Sequence, residues 1–226
     1  MKVSRLMKLV SPLLLLACLL PGFSFAEEAY WKEHGVDIKE LSPGQLAAIE
    51  ETINAIGGMK ANDVAIPKGV YHRLSAFRRL FGFDFDGEKL KGWLLGRIKS
   101  ITPENGWTIA VNGNQGHFYI GGRFFEKSGF LERAYCLIHE ARHSDGNGYR
   151  HIACPGNYKY VSAGNPDLDL TEVSACDGVA DGAYAFQAAF LFELYARNMV
   201  NQEQAGLVYN NSVARIIRLD AKKPKD

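Results

Sequence analysis

Apolar residues recur every three to four positions in the first part of the chain, the spacing that buries one face of an α-helix. Such runs cover residues 43–56, 70–81 and 88–99, and a serine-proline pair just before the first run is typical of a helix start. We therefore predict three amphipathic helices at the beginning of the fold. Residues 27–41 show no such periodicity and are predicted to be irregular.

The pattern becomes strand-like after Gly106. β-Branched and aromatic residues flank a turn rich in asparagine and glycine, which predicts a β-hairpin within residues 107–125. Helical spacing returns over residues 129–145, and a long polar loop then extends to about residue 171. We expect this loop to overhang a cleft, because loops of this length in compact domains are often functional.

Two further helices are predicted near the end of the chain. The run that begins at about Val179 is apolar on nearly every face, which is typical of a buried helix, and a last amphipathic helix covers roughly residues 203–217. Together the elements predict an α+β fold with a helical lead-in, a small β-hairpin or sheet, a central helix over residues 129–145 and a buried C-terminal helix.

The central predicted helix carries an H-E-x-x-H motif at His139–His143. Four residues apart on a helix, His139 and His143 project from one face and can bind the same metal ion. Glu140 is then placed to accept a proton from a water whose pKa zinc lowers to roughly 7. The motif predicts a catalytic Zn²⁺ site. The alternative is a pair of surface histidines near a helix end, where positive charge suits the helix dipole.

A third metal ligand is needed, because a catalytic zinc usually has three protein ligands and an open position. Asp181 and Tyr184 are the clearest candidates for this part of the site, because at the start of the buried helix their carboxylate and phenol can face the same space. Asp177, His151 and Glu172 remain open as alternative third ligands.

The motif resembles that of the zincin metallopeptidases, and the segment after it is similar to the aspzincin (deuterolysin-like) group. The pattern of that group, G-T-x-D-x-x-Y-G, is matched by Gly178, Asp181 and Tyr184, whereas Val179 and Ala185 depart from it. The resemblance covers about a tenth of the chain after residue 26.

The resemblance implies a zincin-like architecture in which zinc is bound by His139, His143 and Asp181. It further implies that Tyr184 donates a hydrogen bond to the oxyanion of a tetrahedral intermediate. A strand at His117–Phe125 would lie along the edge of the cleft, where an extended peptide could pair with it. The competing interpretations are a helix-capping Asp181, a core Tyr184 and an ordinary core strand.

The start of the chain has the features of a secretory signal peptide. Three basic residues precede a short apolar run, and a small-x-small cleavage site ends at Ala26. We predict removal of residues 1–26, export to the periplasm or the medium, and a single domain over residues 27–226. An alternative is lipidation of Cys18, which would anchor the protein to a membrane.

The remaining cysteines agree with an oxidising compartment. Cys154 and Cys176 bracket a polar stretch with little apolar content, and a disulfide between them would restrain it. Cys136 is predicted to be a buried thiol, with a disulfide partner or an extra metal donor as alternatives.

Charge excludes some classes of partner. The chain has 26 lysines and arginines against 25 acidic residues, for a formal net charge of +1, and shows no basic stripe or charged block. Nucleic acid and an anionic membrane surface are therefore not predicted as partners.

The sequence favours an exported zinc metallopeptidase acting on a peptide, protein or cell-wall peptide. The alternative is an exported, non-catalytic binding or envelope protein with a degenerate or structural metal site.

Overall fold

A computed structural model describes residues 30–106, 110–156, 161–162 and 165–217. The predicted signal peptide and Cys18 lie outside the described residues. Within these ranges the elements follow in the order β1 (Asp37–Ile38), α1 (Pro43–Gly57), α2 (Lys68–Leu74), α3 (Phe77–Phe81), α4 (Gly87–Leu95), β2 (Ser100–Glu104), β3 (Val111–Asn114), β4 (His117–Gly121), α5 (Gly122–Glu126), α6 (Phe130–His143), β5 (His151–Ala153), β6 (Val161–Ser162), β7 (Asn165–Asp169), β8 (Ser174–Asp177), α7 (Ala183–Ala196) and α8 (Gln202–Ala214).

The α+β class predicted from the sequence is confirmed. Helix α1 follows the prediction closely because its start is encoded locally: Ser42 Oγ accepts from the Gln45 amide, and Gln45 Oε1 accepts from the Ser42 amide. Its apolar face, which includes Ile49 and Ile53, is fully buried in the core.

The helix predicted over residues 70–81 is two helices, α2 and α3. The break falls at Ser75, whose backbone is extended and whose Oγ donates to the buried carboxylate of Glu193 at 2.6 Å. A buried carboxylate needs such donors, and this requirement overrides the local periodicity. Helix α4 is also shorter than predicted, because the chain leaves it at Gly96 to enter strand β2, which the pattern did not indicate.

The main sheet has the strand order β1-β2-β4-β3. Strands β3 and β4 form the predicted hairpin, with Gly116 in the left-handed region at φ +92°. Strand β4 pairs with β2 on its other side, so it is an interior strand, and the expectation that His117–Phe125 has an open edge for pairing with an extended peptide is wrong. After Gly121 the chain turns into α5, and the edge positions of this sheet belong to β1 and β3.

The two helices that carry most of the candidate site pack against each other in the core. Helix α7 is buried on nearly every face, as predicted, and lies between α6, α3 and α8. Phe190, Leu191 and Leu194 on α7 are fully buried, and so are Leu137 and Ile138 on α6. Burying side chains of this size contributes roughly 1.5–3 kcal/mol each, which fixes α6 relative to α7.

The polar stretch after α6 contains more structure than the predicted loop. Strand β5 pairs with β8, and β6 pairs with β7 in a second small sheet. A disulfide joins Cys154 to Cys176, which confirms the pairing considered from the sequence. For a loop of this size such a bond contributes roughly 3 kcal/mol in the chain-entropy model.

Cys136 is a free thiol, partly buried on α6, and burial raises its pKa well above the ordinary value. None of the helices in the described part of the chain is both long and apolar enough to cross a bilayer.

Candidate metal centre

Three histidine side chains converge at the end of α6. The Nε2 atom of His139 lies 3.0 Å from that of His151 and 3.3 Å from that of His143, and the His143 and His151 nitrogens are also 3.3 Å apart. These three residues form a group that could hold a metal ion, and they are the only such group among the residues described.

Local backbone structure brings His151 to the pair on α6. The helix ends at His143, and the chain then reverses at Gly146, whose φ of +130° lies where residues with a side chain are strained. A 3₁₀ turn over Asn147–Tyr149 follows, and β5 begins at His151. Pairing of β5 with β8 then holds His151 against the face of α6 that carries His139 and His143.

Hydrogen bonds behind two of the rings orient them. The His143 Nδ1 atom lies 2.6 Å from the carbonyl oxygen of Tyr149, and the His151 Nδ1 atom lies 3.1 Å from Oδ1 of Asp177. A carbonyl or carboxylate oxygen only accepts, so each Nδ1 carries the hydrogen, and in the neutral ring each Nε2 presents its lone pair to the centre. Partners of this kind are typical of metal-binding histidines.

The arrangement is difficult to satisfy without a cation. With both outer nitrogens protonated, the Nε2 lone pairs of His143 and His151 face each other at 3.3 Å, and neither can donate. If His139 donates from its own Nε2, it can satisfy the Nε2 lone pair of His143 or of His151, but not both. Its Nδ1 is buried and makes no hydrogen bond of standard geometry, with Gln187 beside it.

The spacing is compatible with a divalent metal ion such as zinc. Tetrahedral bonds of about 2.05 Å from zinc to imidazole place any two ligand nitrogens about 3.3 Å apart. The three observed separations of 3.0, 3.3 and 3.3 Å match this spacing closely. Three protein donors also leave one tetrahedral position for water or substrate, which is the feature that separates catalytic from structural zinc sites.

Burial keeps the imidazoles of His139 and His143 neutral, the form that binds metal. It lowers the pKa of His139 well below the ordinary value, and the neighbouring rings of His151 and His143 add to this effect. The pKa of His143 is lowered to about 4, again by burial first and by His151 second. Both side chains are therefore deprotonated and ready to coordinate at neutral pH.

Asp177 supports the centre rather than joining the group of donors. Its side chain is 1% exposed, Oδ1 faces His151, and Oδ2 accepts from the backbone amide of Tyr184 at 2.7 Å. The carboxylate thus caps the first turn of α7 while it orients a candidate ligand. Gly182 makes room for it, because a Cβ there would lie 2.5 Å from the Asp177 carboxylate.

Asp181, the third ligand expected from the sequence, is not brought to the histidines. Its carboxylate is about half exposed and forms an ion pair with Arg142 at 3.0 Å. The third nitrogen is supplied by His151, one of the alternatives. Glu172 is likewise outside the group of three: its side chain lies near Gly156. The resemblance to the aspzincin pattern favoured Asp181. The position of His151, in contrast, depends on the turn at Gly146.

Tyr184 lies against the candidate metal centre. Its ring stacks on that of His151, with centroids 5.0 Å apart, and meets the edge of His139 at 4.5 Å. The phenol oxygen contacts the guanidinium of the buried Arg215. Burial raises the pKa of Tyr184, and Arg215 opposes the shift. The phenol therefore keeps its proton at neutral pH and can donate it while accepting from Arg215.

Glu140 lies on α6 directly after His139 and is partly exposed. Its negative charge contributes to the raised pKa values of both Cys136 and Tyr184, so the carboxylate is within electrostatic range of these two side chains.

Comparison with known proteins does not assign the chain to a family. No family model matches the chain, and no curated protein or solved structure is significantly similar to it. The fold and the site therefore define the class by themselves: this is an α+β protein with three convergent histidines that could hold a metal ion.

Proposed function

We propose that the protein is an exported zinc metallopeptidase that hydrolyses peptide bonds. In this proposal His139, His143 and His151 bind the metal, and Glu140 is the general base. The observation that carries it is the convergence of three imidazole Nε2 atoms at separations of 3.0–3.3 Å, with hydrogen-bond acceptors behind two of the rings. The disulfide between Cys154 and Cys176 is compatible with export.

The chemistry follows from the groups around the centre. A bound zinc supplies Lewis acidity and lowers the pKa of water. Glu140 accepts the proton of the attacking water and later transfers it to the leaving amine. Tyr184, whose phenol is protonated and held by Arg215, donates to the developing oxyanion. The neutral rings of His139 and His143 keep their lone pairs available for the metal throughout.

A Glu140→Gln variant tests the assigned base. The amide cannot accept the proton, so hydrolysis of an unstructured protein or of cell-wall stem peptides should fall by about 10²–10⁴-fold while zinc content stays near that of the unmodified chain. Glu132→Gln is the matched control: it lies on the same helix and pairs with Arg123 at 3.5 Å. Unchanged turnover in Glu140→Gln would refute the assigned role.

A non-catalytic metal protein is the competing outcome. A structural zinc site is closed by protein ligands, whereas a catalytic site accepts an external ligand. A small hydroxamate should therefore bind to the zinc-loaded protein, and His151→Ala should abolish that binding. Absence of hydroxamate binding to fully loaded protein would favour the structural site and remove the basis for hydrolysis.

A further inference from the structure

Arg142 occupies one of the two variable positions within the H-E-x-x-H motif, and its side chain is unexpectedly buried. The residue is only 8% exposed. A guanidinium always carries its charge in a protein, so burial is costly unless several acceptors surround it. The contacts of Arg142 therefore indicate what it does.

The guanidinium is held by two acidic residues and lies over two aromatic rings, Tyr149 and, at 4.5 Å, Phe186. Arg142 Nε donates to the backbone oxygen of Asp181 at 2.9 Å, and Nη2 donates to its carboxylate at 3.0 Å. Nη1 donates to Asp145 at 2.5 Å. The Cζ atom lies 3.5 Å from the centroid of the Tyr149 ring, a close cation–π contact.

Two of these partners belong to the segments that orient the candidate metal ligands. Tyr149 supplies the carbonyl oxygen that faces His143 Nδ1. Asp181 lies in the loop between β8 and α7, four residues after Asp177, whose carboxylate faces His151 Nδ1. The Arg142 guanidinium thus connects Tyr149, whose carbonyl oxygen faces His143, to the loop that follows Asp177, whose carboxylate faces His151.

We propose that Arg142 is a positioning residue for the metal centre, and that Asp181 serves as its anchor. By fixing the Tyr149 turn against the Asp177–Asp181 loop, Arg142 keeps both outer hydrogen bonds aligned so that the Nε2 lone pairs of His143 and His151 converge. Loss of such support typically weakens metal binding by about 10–100-fold. This inference rests on the metal site of the proposed function.

Arg142→Lys is the direct test. A lysine keeps the charge but cannot bond the backbone and carboxylate of Asp181 together while it stacks on Tyr149. The zinc dissociation constant should rise about 10–100-fold, and the visible absorption of the Co²⁺-loaded protein should change in shape and intensity because the ligand geometry is altered.

Arg97→Lys is the matched control. Arg97 also pairs with Asp145, at 3.0 Å, and stacks on an aromatic ring, with its Cζ 4.2 Å from the centroid of Trp93. In the structure described, no hydrogen bond joins it to Tyr149 or to Asp181. Arg97→Lys should therefore lose an ion pair and a stacking contact of the same kind but keep the zinc affinity and Co²⁺ spectrum of the unmodified chain.

A second pair of variants covers the case in which Arg142→Lys does not fold. Tyr149→Leu removes the stacking ring and keeps the carbonyl, and Asp181→Asn removes the charged anchor and keeps the backbone oxygen. Each should raise the zinc dissociation constant about three- to tenfold, because part of the support remains.

The outcomes separate the two proposals. If the unmodified protein binds zinc and the variants of Arg142, Tyr149 and Asp181 bind it equally well with unchanged Co²⁺ spectra, the positioning role is overturned and the proposed function stands. If the unmodified protein binds no metal, the proposed function fails and the positioning role fails with it.

Discussion

Removal of the His151 imidazole should damage metal binding far more than removal of the Asp181 carboxylate. His151 Nε2 lies 3.0 Å and 3.3 Å from the Nε2 atoms of His139 and His143, whereas the Asp181 carboxylate is engaged with Arg142. The structure thus brings His151, one of the alternatives left open by the sequence, to the histidine pair instead of Asp181.

The size of the effect follows from the number of donors. A zinc site in a small protein has an apparent binding free energy of about 12 kcal/mol at neutral pH. Shared among three imidazoles, each donor accounts for about 4 kcal/mol, so His151→Ala should raise the dissociation constant about 10³-fold. Asp181→Ala leaves all three nitrogens in place, and its effect should stay within about tenfold.

Competition with a chromophoric chelator in metal-free buffer measures both constants. His117→Ala is the control for loss of a histidine, because its Nδ1 lies 2.8 Å from Ser100 Oγ in the sheet, away from the group of three. It should bind zinc like the unmodified chain. A larger loss of affinity in Asp181→Ala than in His151→Ala would refute the assignment and restore the carboxylate as the third ligand.

Two further predictions concern the support of the histidines and their protonation. Asp177→Asn should weaken zinc binding about 10–100-fold. If the asparagine oxygen still accepts from His151 Nδ1, its NH₂ group faces the backbone N–H of Tyr184, and the two donors oppose each other. Equal affinity would contradict the role given to Asp177. In the metal-free protein the pKa of His143 is lowered from 6.5 to about 4, so the unfolded chain binds more protons between these values. The free energy of unfolding should therefore fall as pH drops through this window, by up to about 3 kcal/mol for His143, and denaturant titrations should show a flatter dependence in His143→Gln. An identical dependence in the two proteins would contradict the lowered pKa.

Local signals explain how much of the fold could be predicted from the sequence. Helix α1 and the β3–β4 hairpin were predicted because their caps, turns and apolar spacing lie within a few residues of one another. The break at Ser75 was missed because it depends on Glu193, more than a hundred residues away. Strand β5 was missed because it is three residues long and is defined by its pairing with β8.

The residues of the candidate site show the same contrast between local sequence signals and long-range contacts. His139 and His143 were recognised from their spacing on one helix, which is a local property. His151 requires a positive φ at Gly146, a 3₁₀ turn and a strand pairing to reach them, and none of these is visible as periodicity. Asp181 matched a sequence pattern, but its carboxylate pairs with Arg142, a buried charge whose position depends on residues distant in the sequence.

X-ray absorption at the zinc edge tests the metal centre most directly. Protein loaded with one equivalent of zinc should show three imidazole nitrogens and one further light donor at about 2.0–2.1 Å, and the His151→Ala variant should lose one imidazole. Zinc that remains in solution, or a spectrum with two imidazoles and a carboxylate in both proteins, would contradict a centre built from His139, His143 and His151.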